Sequence, residues 1–167
     1  YLESEIFKTI NALNLTNARV RLTVFRNGKG RYLPQQRTVG FIIVAESTGT
    51  VYVNTTEKYE VELFKDFHVS KHLLSTLKTT SCLINITASI FAEENGYENC
   101  LLINDEKNVI EAINGNIFII KDNVVSTPPV ADGCKNGIIR KKIIEIVNKT
   151  DNLTLEERSI SPFELQK

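Results

Sequence analysis

Three stretches of this sequence carry residue types suited to chemistry. The first is Lys78, in "LSTLKTTSCLIN" (residues 74–85). Reading every fourth residue gives Leu74, Lys78, Cys82, Ile86 and Ile90, so the spacing predicts a helix over about 76–95 in which one cation interrupts an apolar row. An amine kept from water there favours its neutral, nucleophilic form, which Schiff-base chemistry needs. The plain alternative is a lysine whose stem lies on apolar surface and whose head reaches solvent. The second stretch is "NVIEAINGNIF", where Glu111 stands between apolar strand residues and requires a cation or donor if it is buried. A protonated pyridine nitrogen would serve, although a strand glutamate can equally point to water. The third is "GCKNGIIRKK" (133–142), a glycine-marked turn opening a helix, whose free N–H groups and dipole suit a phosphate. Amine, ring partner and phosphate seat together fit pyridoxal 5'-phosphate.

Other chemistry has weaker footing. "GKG" at 28–30 lacks the remainder of a nucleotide-binding loop, and His68 and His72 are four apart without a neighbouring glutamate or a third ligand. No metal site is predicted. No serine lies in a nucleophile-elbow context, and Cys82, Cys100 and Cys134 have no local signature of a thiol enzyme. Three widely spaced cysteines suit reduced thiols and a cytoplasmic setting.

The elements that must position these residues read as a mixture of strands and helices. The 167 residues are enough for one large domain or parts of two, burying about 70% of the surface the unfolded chain exposes. Twenty basic and twenty acidic residues are intermixed, which argues against nucleic acid or an anionic membrane as partner. The longest apolar runs, such as "VGFIIVA" (39–45), fall short of a bilayer span. In "RVRLTVFR", Val20, Leu22 and Val24 alternate with Arg19, Arg21 and Thr23 as in a half-buried strand. "FIIVA", "VYV" and "KYEVELF" read as further strands before the lysine helix, which Gly96 closes as a left-handed cap. Short strands follow in "NCLLIN", "NVIEA", "NIFIIK" and "NVVST", joined by Asp/Asn turns. A second helix after Gly137 places Ile139, Ile143 and Val147 on one face, with Arg140, Lys141 and Lys142 elsewhere. Both ends read as cut. "YLESEIFKTINALN" starts inside a helical pattern, and Ser161, Pro162 and Glu164 form a capping box for a helix that the chain does not continue.

The run "LKTTSCLINITASIFAEENGYENCLLINDEKNVIEAINGNIFIIKDNVVSTPPVADGCKNGIIRKK" resembles class IV aminotransferases, the pyridoxal phosphate family of branched-chain and D-amino-acid aminotransferases and of 4-amino-4-deoxychorismate lyase. The resemblance runs from about residue 16 to the end. "VIEAINGNIF", "NVVSTPP" and "GCKNGIIR" are its most specific parts, in the family's order and at its usual separations.

The resemblance implies that Lys78 is the lysine of the Schiff base and the general base, since it stands the usual distance before Gly96, Tyr97 and Glu98. Lys71, with His72 and Leu73 after it, looks locally like the lyase version but lies seven residues too early. Glu111 would pair with the pyridine nitrogen, Asn114, Gly115 and Asn116 would lie close to the cofactor, and Gly137, Ile138 and Ile139 would bind its phosphate. Many relatives have a hydroxyl residue where Ile139 stands, which leaves that contact to backbone N–H groups. Arg26 resembles an arginine that grips substrate carboxylate, and Arg21 is a second candidate.

The fold implied is two α/β domains with the cofactor between them. Residues 1–48 would end a small N-terminal domain, and residues 49–167 would belong to a large C-terminal pseudo-barrel domain truncated at its end. The protein would be a cytoplasmic homodimer acting on a small amino or keto acid, either by transamination or by lyase chemistry. The missing front and tail would supply further phosphate contacts. Two alternatives remain open: a family member without catalysis that acts as a binding or assembly module, and an unrelated α/β ligand-binding domain in which Lys78 is a surface residue.

Overall fold

A computed structural model describes residues 1–49 and 58–166. The chain divides into two compact units, Tyr1–Thr55 and Thr56–Lys167.

In the first unit, helix α1 (Leu2–Ala12) carries Glu3 and Glu5 in its first turn, where carboxylates oppose the positive end of the helix dipole. Its half-buried Ile6 and Ile10 face strand β2 (Val39–Ser47), which pairs antiparallel with β1 (Ala18–Arg26) in unbroken register from Ala18–Ser47 to Arg26–Val39. The alternation in "RVRLTVFR" predicts one buried face, but Leu22 and Val24 are exposed while Val20 is only half-buried. A two-stranded sheet with one short helix has too little material to cover a whole face.

The second unit is built from two parallel crossovers. Strand β3 (Val61–Val69) runs parallel to β4 (Asn99–Asn104), and α2 (Leu83–Asn95) makes the connection. Strands β5 (Val109–Ala112) and β6 (Gly115–Asn116) extend this sheet by antiparallel turns. A second sheet holds β7 (Ile119–Lys121) and β8 (Val124–Thr127), and α3 (Ile138–Val147) then leads to β9 (Thr154–Glu157), parallel to β8. The turn between β7 and β8 places Asp122 and Asn123 at φ 48° and 66°, the left-handed pair that a two-residue hairpin of the native twist requires. Val109 also pairs with Ile160, which follows β9.

Strand β4 is buried along almost its whole length because it is covered on both faces. Cys100 and Leu102 join Phe64, Ala88, Ala92 and Ile110 on the α2 side. Leu101 and Ile103 alternate to the other side, against Val109 and Ile160.

Several elements differ from the sequence reading. "VYV" lies outside the described residues. The strand expected in "KYEVELF" begins only at Val61 but continues to Val69. Strand β9 has no counterpart in the sequence reading. Helix α2 ends where predicted, at a left-handed Gly96 (φ 75°), yet it starts at Leu83 rather than near 76. Leu73–Thr76 instead form one 3₁₀ turn, after which Leu77 is extended. The carbonyls that a continuous helix would offer to residues 79 and 80 are used otherwise: Ser75 O accepts from Lys135 Nζ at 2.6 Å and Thr76 O from the Asn136 N–H at 3.5 Å. Thr79 Oγ1 also accepts from the Ser81 N–H at 3.3 Å, a local bond that competes with helix.

Candidate functional site

Lys78 therefore stands in the loop between the 3₁₀ turn and α2, not on a helix, and its side chain is exposed rather than enclosed by an apolar row. The ladder from Leu74 to Ile90 does not exist as one face, because the loop breaks its period. The loop nevertheless forms a wall of a cavity of about 840 Å³, shared with Glu111, Ala112, Asn114, Gly115, Asn116, Lys135, Gly137, Ile138 and Ile139. Eight of the positions picked out in the sequence, Lys78, Glu111, Asn114, Gly115, Asn116, Gly137, Ile138 and Ile139, thus line one space.

Glu111 sits on β5, paired in register with Leu102 of β4 and Asn116 of β6. It is buried, and burial raises its pKa above the ordinary carboxylate value. Lys135 works against that rise. Its backbone N–H donates to Oε2 at 2.7 Å and its ammonium lies 3.5 Å from Oε1, with Lys78 adding a weaker effect of the same sign. The cavity-lining carboxylate thus already has one cation beside it.

Asn116 connects this strand to the start of α3. Its amide donates to the Lys135 carbonyl at 2.8 Å, and its side-chain oxygen lies against Gly137, where any Cβ would collide with it. Gly137 caps α3 without a side chain, so the first N–H groups of the helix, in residues that line the cavity, have no intrahelical acceptor. Ile138 and Ile139 are both exposed; the apolar face predicted for this helix through Ile139 begins only at Ile143.

Arg140, predicted on the polar side, is instead buried at 4% exposure. Its Nη2 donates to Pro128 O at 2.9 Å and to Glu157 Oε2 at 2.5 Å, while its Nε has no partner among the described residues. The arginine fastens α3 to the end of β8 and to β9, and so fixes the angle at which the helix start meets the cavity. Asn85 Nδ2 donates to Ile113 O at 2.7 Å and Asn99 Nδ2 to Asn114 Oδ1 at 3.0 Å, holding the turn between β5 and β6. Lys135, Arg140, Asn85 and Asn99 went unmarked in the sequence because their importance lies in partners distant along the chain.

The remaining candidates are placed as follows. Lys71 is engaged by Glu106 at 2.8 Å and Asp132 at 3.4 Å, and it is not among the cavity residues. Its pKa is raised, chiefly by the hydrogen bond to Glu106. Arg21 and Arg26 belong to β1, in the first unit. The Arg26 guanidinium donates to the carbonyls of Gly30, Arg31 and Tyr32 at 3.4–3.5 Å, bracing the loop after the strand. All three cysteines are free. Among the described residues no helix is long and apolar enough to cross a membrane.

Comparison with known proteins gives the family and the fold. The amino-transferase class IV family matches residues 1–167. The chain is 30% identical over 165 residues to the branched-chain-amino-acid aminotransferase-like protein 1 of Arabidopsis thaliana, covering 96% of this chain and 29% of that protein. A solved branched-chain aminotransferase of Thermoproteus uzoniensis, with norvaline, superposes with a TM-score of 0.83 at 27% identity, covering 98% of this chain and 56% of the other. A proposed 4-amino-4-deoxychorismate lyase of Legionella pneumophila has the same fold, with a TM-score of 0.86 at 21% identity, over 98% of this chain and 60% of the other. The chain spans less than two thirds of the length of each of these relatives. A match along the whole sequence and a shared fold lead to one conclusion: the chain belongs to the class IV aminotransferase family.

Proposed function

We propose that this chain is the cofactor-bearing part of a pyridoxal phosphate enzyme that transfers an amino group between a small amino acid and a keto acid. The observation that carries the reading is that Lys78, Glu111 and the start of α3 line a single cavity of about 840 Å³. The residues present fit the cofactor on three counts. A buried carboxylate faces the cavity, a helix start offers N–H groups that no capping side chain takes, and the Gly137–Asn116 approach leaves no room there for a side chain. Bound pyridoxal phosphate would supply an electron sink that eases loss of the substrate's Cα proton.

In this reading Lys78 Nζ would be the amine that holds the cofactor, and its free form would accept the substrate's Cα proton as general base. The exposed position of Lys78 on a loop suits a group that must reach both cofactor and substrate. The Glu111 carboxylate would face the ring nitrogen and favour its protonated form. The N–H groups of Ile138 and Ile139 would hold the phosphate, without the hydroxyl that many relatives add there. Asn114, Gly115 and Asn116 shape the ring's wall. Arg26, with Arg21 as second candidate, would grip the substrate carboxylate in the assembled enzyme, which we take to be a cytoplasmic homodimer. Residues 1–48 would end its small domain and 49–167 would belong to its large one.

The lyase chemistry of the second relative type would use the same residues, so the choice of reaction falls to the substrate pocket. The names of the curated relatives, branched-chain aminotransferases, favour amino transfer.

Borohydride reduction of the intact protein after incubation with pyridoxal phosphate tests the reading. A pyridoxyl group mapped by mass spectrometry to Lys78, and lost in Lys78→Ala, is the expected result. A label on Lys71 instead, or none at all, overturns it.

A further inference from the structure

The carboxylate strand and the lysine loop are joined by a residue that neither motif includes. Lys135 follows the turn at Gly133 and reaches both. Its backbone N–H donates to Glu111 Oε2 at 2.7 Å, and its ammonium lies 3.5 Å from Glu111 Oε1 and donates to the Ser75 carbonyl at 2.6 Å. Ser75 ends three residues before Lys78, and the Thr76 carbonyl beside it accepts from the Asn136 N–H. The adjoining segment 135–136 therefore takes the two carbonyls whose loss to the helix keeps Lys78 in a loop.

We propose that Lys135 is a positioning residue of this site: its ammonium ties the loop carrying Lys78 to the strand carrying Glu111 and gives that carboxylate a permanent counter-ion. The inference rests on the pyridoxal phosphate reading of the site. A carboxylate that is to hold a protonated ring nitrogen must itself be ionised, and burial opposes this. The charged groups acting on Glu111 are Lys135 and Lys78, with the buried Cys134 thiol nearby; its register partners, Leu102 and Asn116, are uncharged. Of the two lysines, Lys78 has its amine committed to the cofactor. Lys135, with its side chain 31% exposed, remains as the cation that stays. The geometry divides its work: the main-chain bond orients the carboxylate, and the side chain supplies charge and anchors the loop.

Lys135→Met isolates the second role, because the backbone N–H to Glu111 is retained. In the intact, cofactor-free protein, the carboxyl resonance of isotope-labelled Glu111, assigned by its loss in Glu111→Gln, is followed against pH. The expected result is an upward shift of the midpoint in Lys135→Met and recovery in Lys135→Arg. Hydrogen exchange in residues 76–82 should rise in the methionine variant, and pyridoxal phosphate should bind about tenfold more weakly, the size of one charge-assisted contact. An unmoved midpoint in a folded Lys135→Met protein overturns the proposal. Lys135→Gln carries the same test if the methionine variant does not fold. Because the titration is read without cofactor, its failure leaves the Lys78 labelling result standing, and failure of that labelling leaves the ion pair standing.

Discussion

The side-chain oxygen of Asn116 occupies the space that a Cβ on residue 137 would need. Gly137 has an ordinary extended backbone (φ −65°, ψ 149°), so its restriction is steric rather than torsional. Gly137→Ala must push Asn116 off the Lys135 carbonyl, at a cost of about 1–3 kcal/mol. It should also reduce pyridoxal phosphate retention, as read by absorbance after desalting. Gly115→Ala, at a position where a Cβ meets nothing within 4 Å, should leave urea unfolding nearly unchanged. Equal losses in the two variants would contradict the close approach.

The Arg140–Glu157 pair is unequal. Arg140 is 4% exposed on its side chain and Glu157 is 45% exposed. Removing the arginine leaves a carboxylate that water can reach, whereas removing the carboxylate leaves a cation that water cannot. Glu157→Ala should therefore destabilise more than Arg140→Met, with about 3 kcal/mol as the scale for an abandoned buried charge. The reverse order in denaturant unfolding would show that the guanidinium is held by Pro128 O alone.

Burial sets the pH response of Glu111. Its folded pKa lies above the ordinary carboxylate value, so the stability it contributes is full below that value and is lost as pH rises through the raised one. In cofactor-free protein the stability of Glu111→Gln relative to the parent should improve as pH rises from the ordinary carboxylate range through the raised folded pKa of Glu111. A difference that is flat with pH would mean that Lys135 fully offsets the burial.

The thiols should sort by burial. Cys134 is pushed up to about 11 by desolvation, which leaves about one thiol in a thousand ionised at pH 8. Cys100 is also raised, first by burial. A stoichiometric thiol reagent on the native protein should therefore modify Cys82, the half-buried cysteine on the cavity wall. Peptide mapping that finds Cys134 labelled first would indicate that the segment 128–137 opens readily.

Lys71→Met should lower the melting temperature while leaving cofactor labelling of Lys78 intact, because Lys71 serves Glu106 and the buried Asp132 rather than the cavity. Loss of labelling in that variant would reassign the reactive lysine.

Local physics made much of the site legible in the sequence. The left-handed turns at Gly96 and at Asp122–Asn123, the apolar run of β4 and the glycine that opens α3 each follow from propensities acting over a few residues, and the structure has them in place. Residue type and order along the chain marked Lys78, Glu111 and the Gly137 helix start as belonging together, and the family resemblance added Asn116. Tertiary structure decided what depends on partners far apart in sequence. The lysine helix starts late because Lys135 and Asn136 take the carbonyls of Ser75 and Thr76, some sixty residues earlier. Arg140 is buried because Glu157 and Pro128 meet it there, against the period of its own helix. A periodicity records which face of an element is apolar, whereas a hydrogen bond across the fold can end a helix or bury a charge without leaving a trace in that pattern.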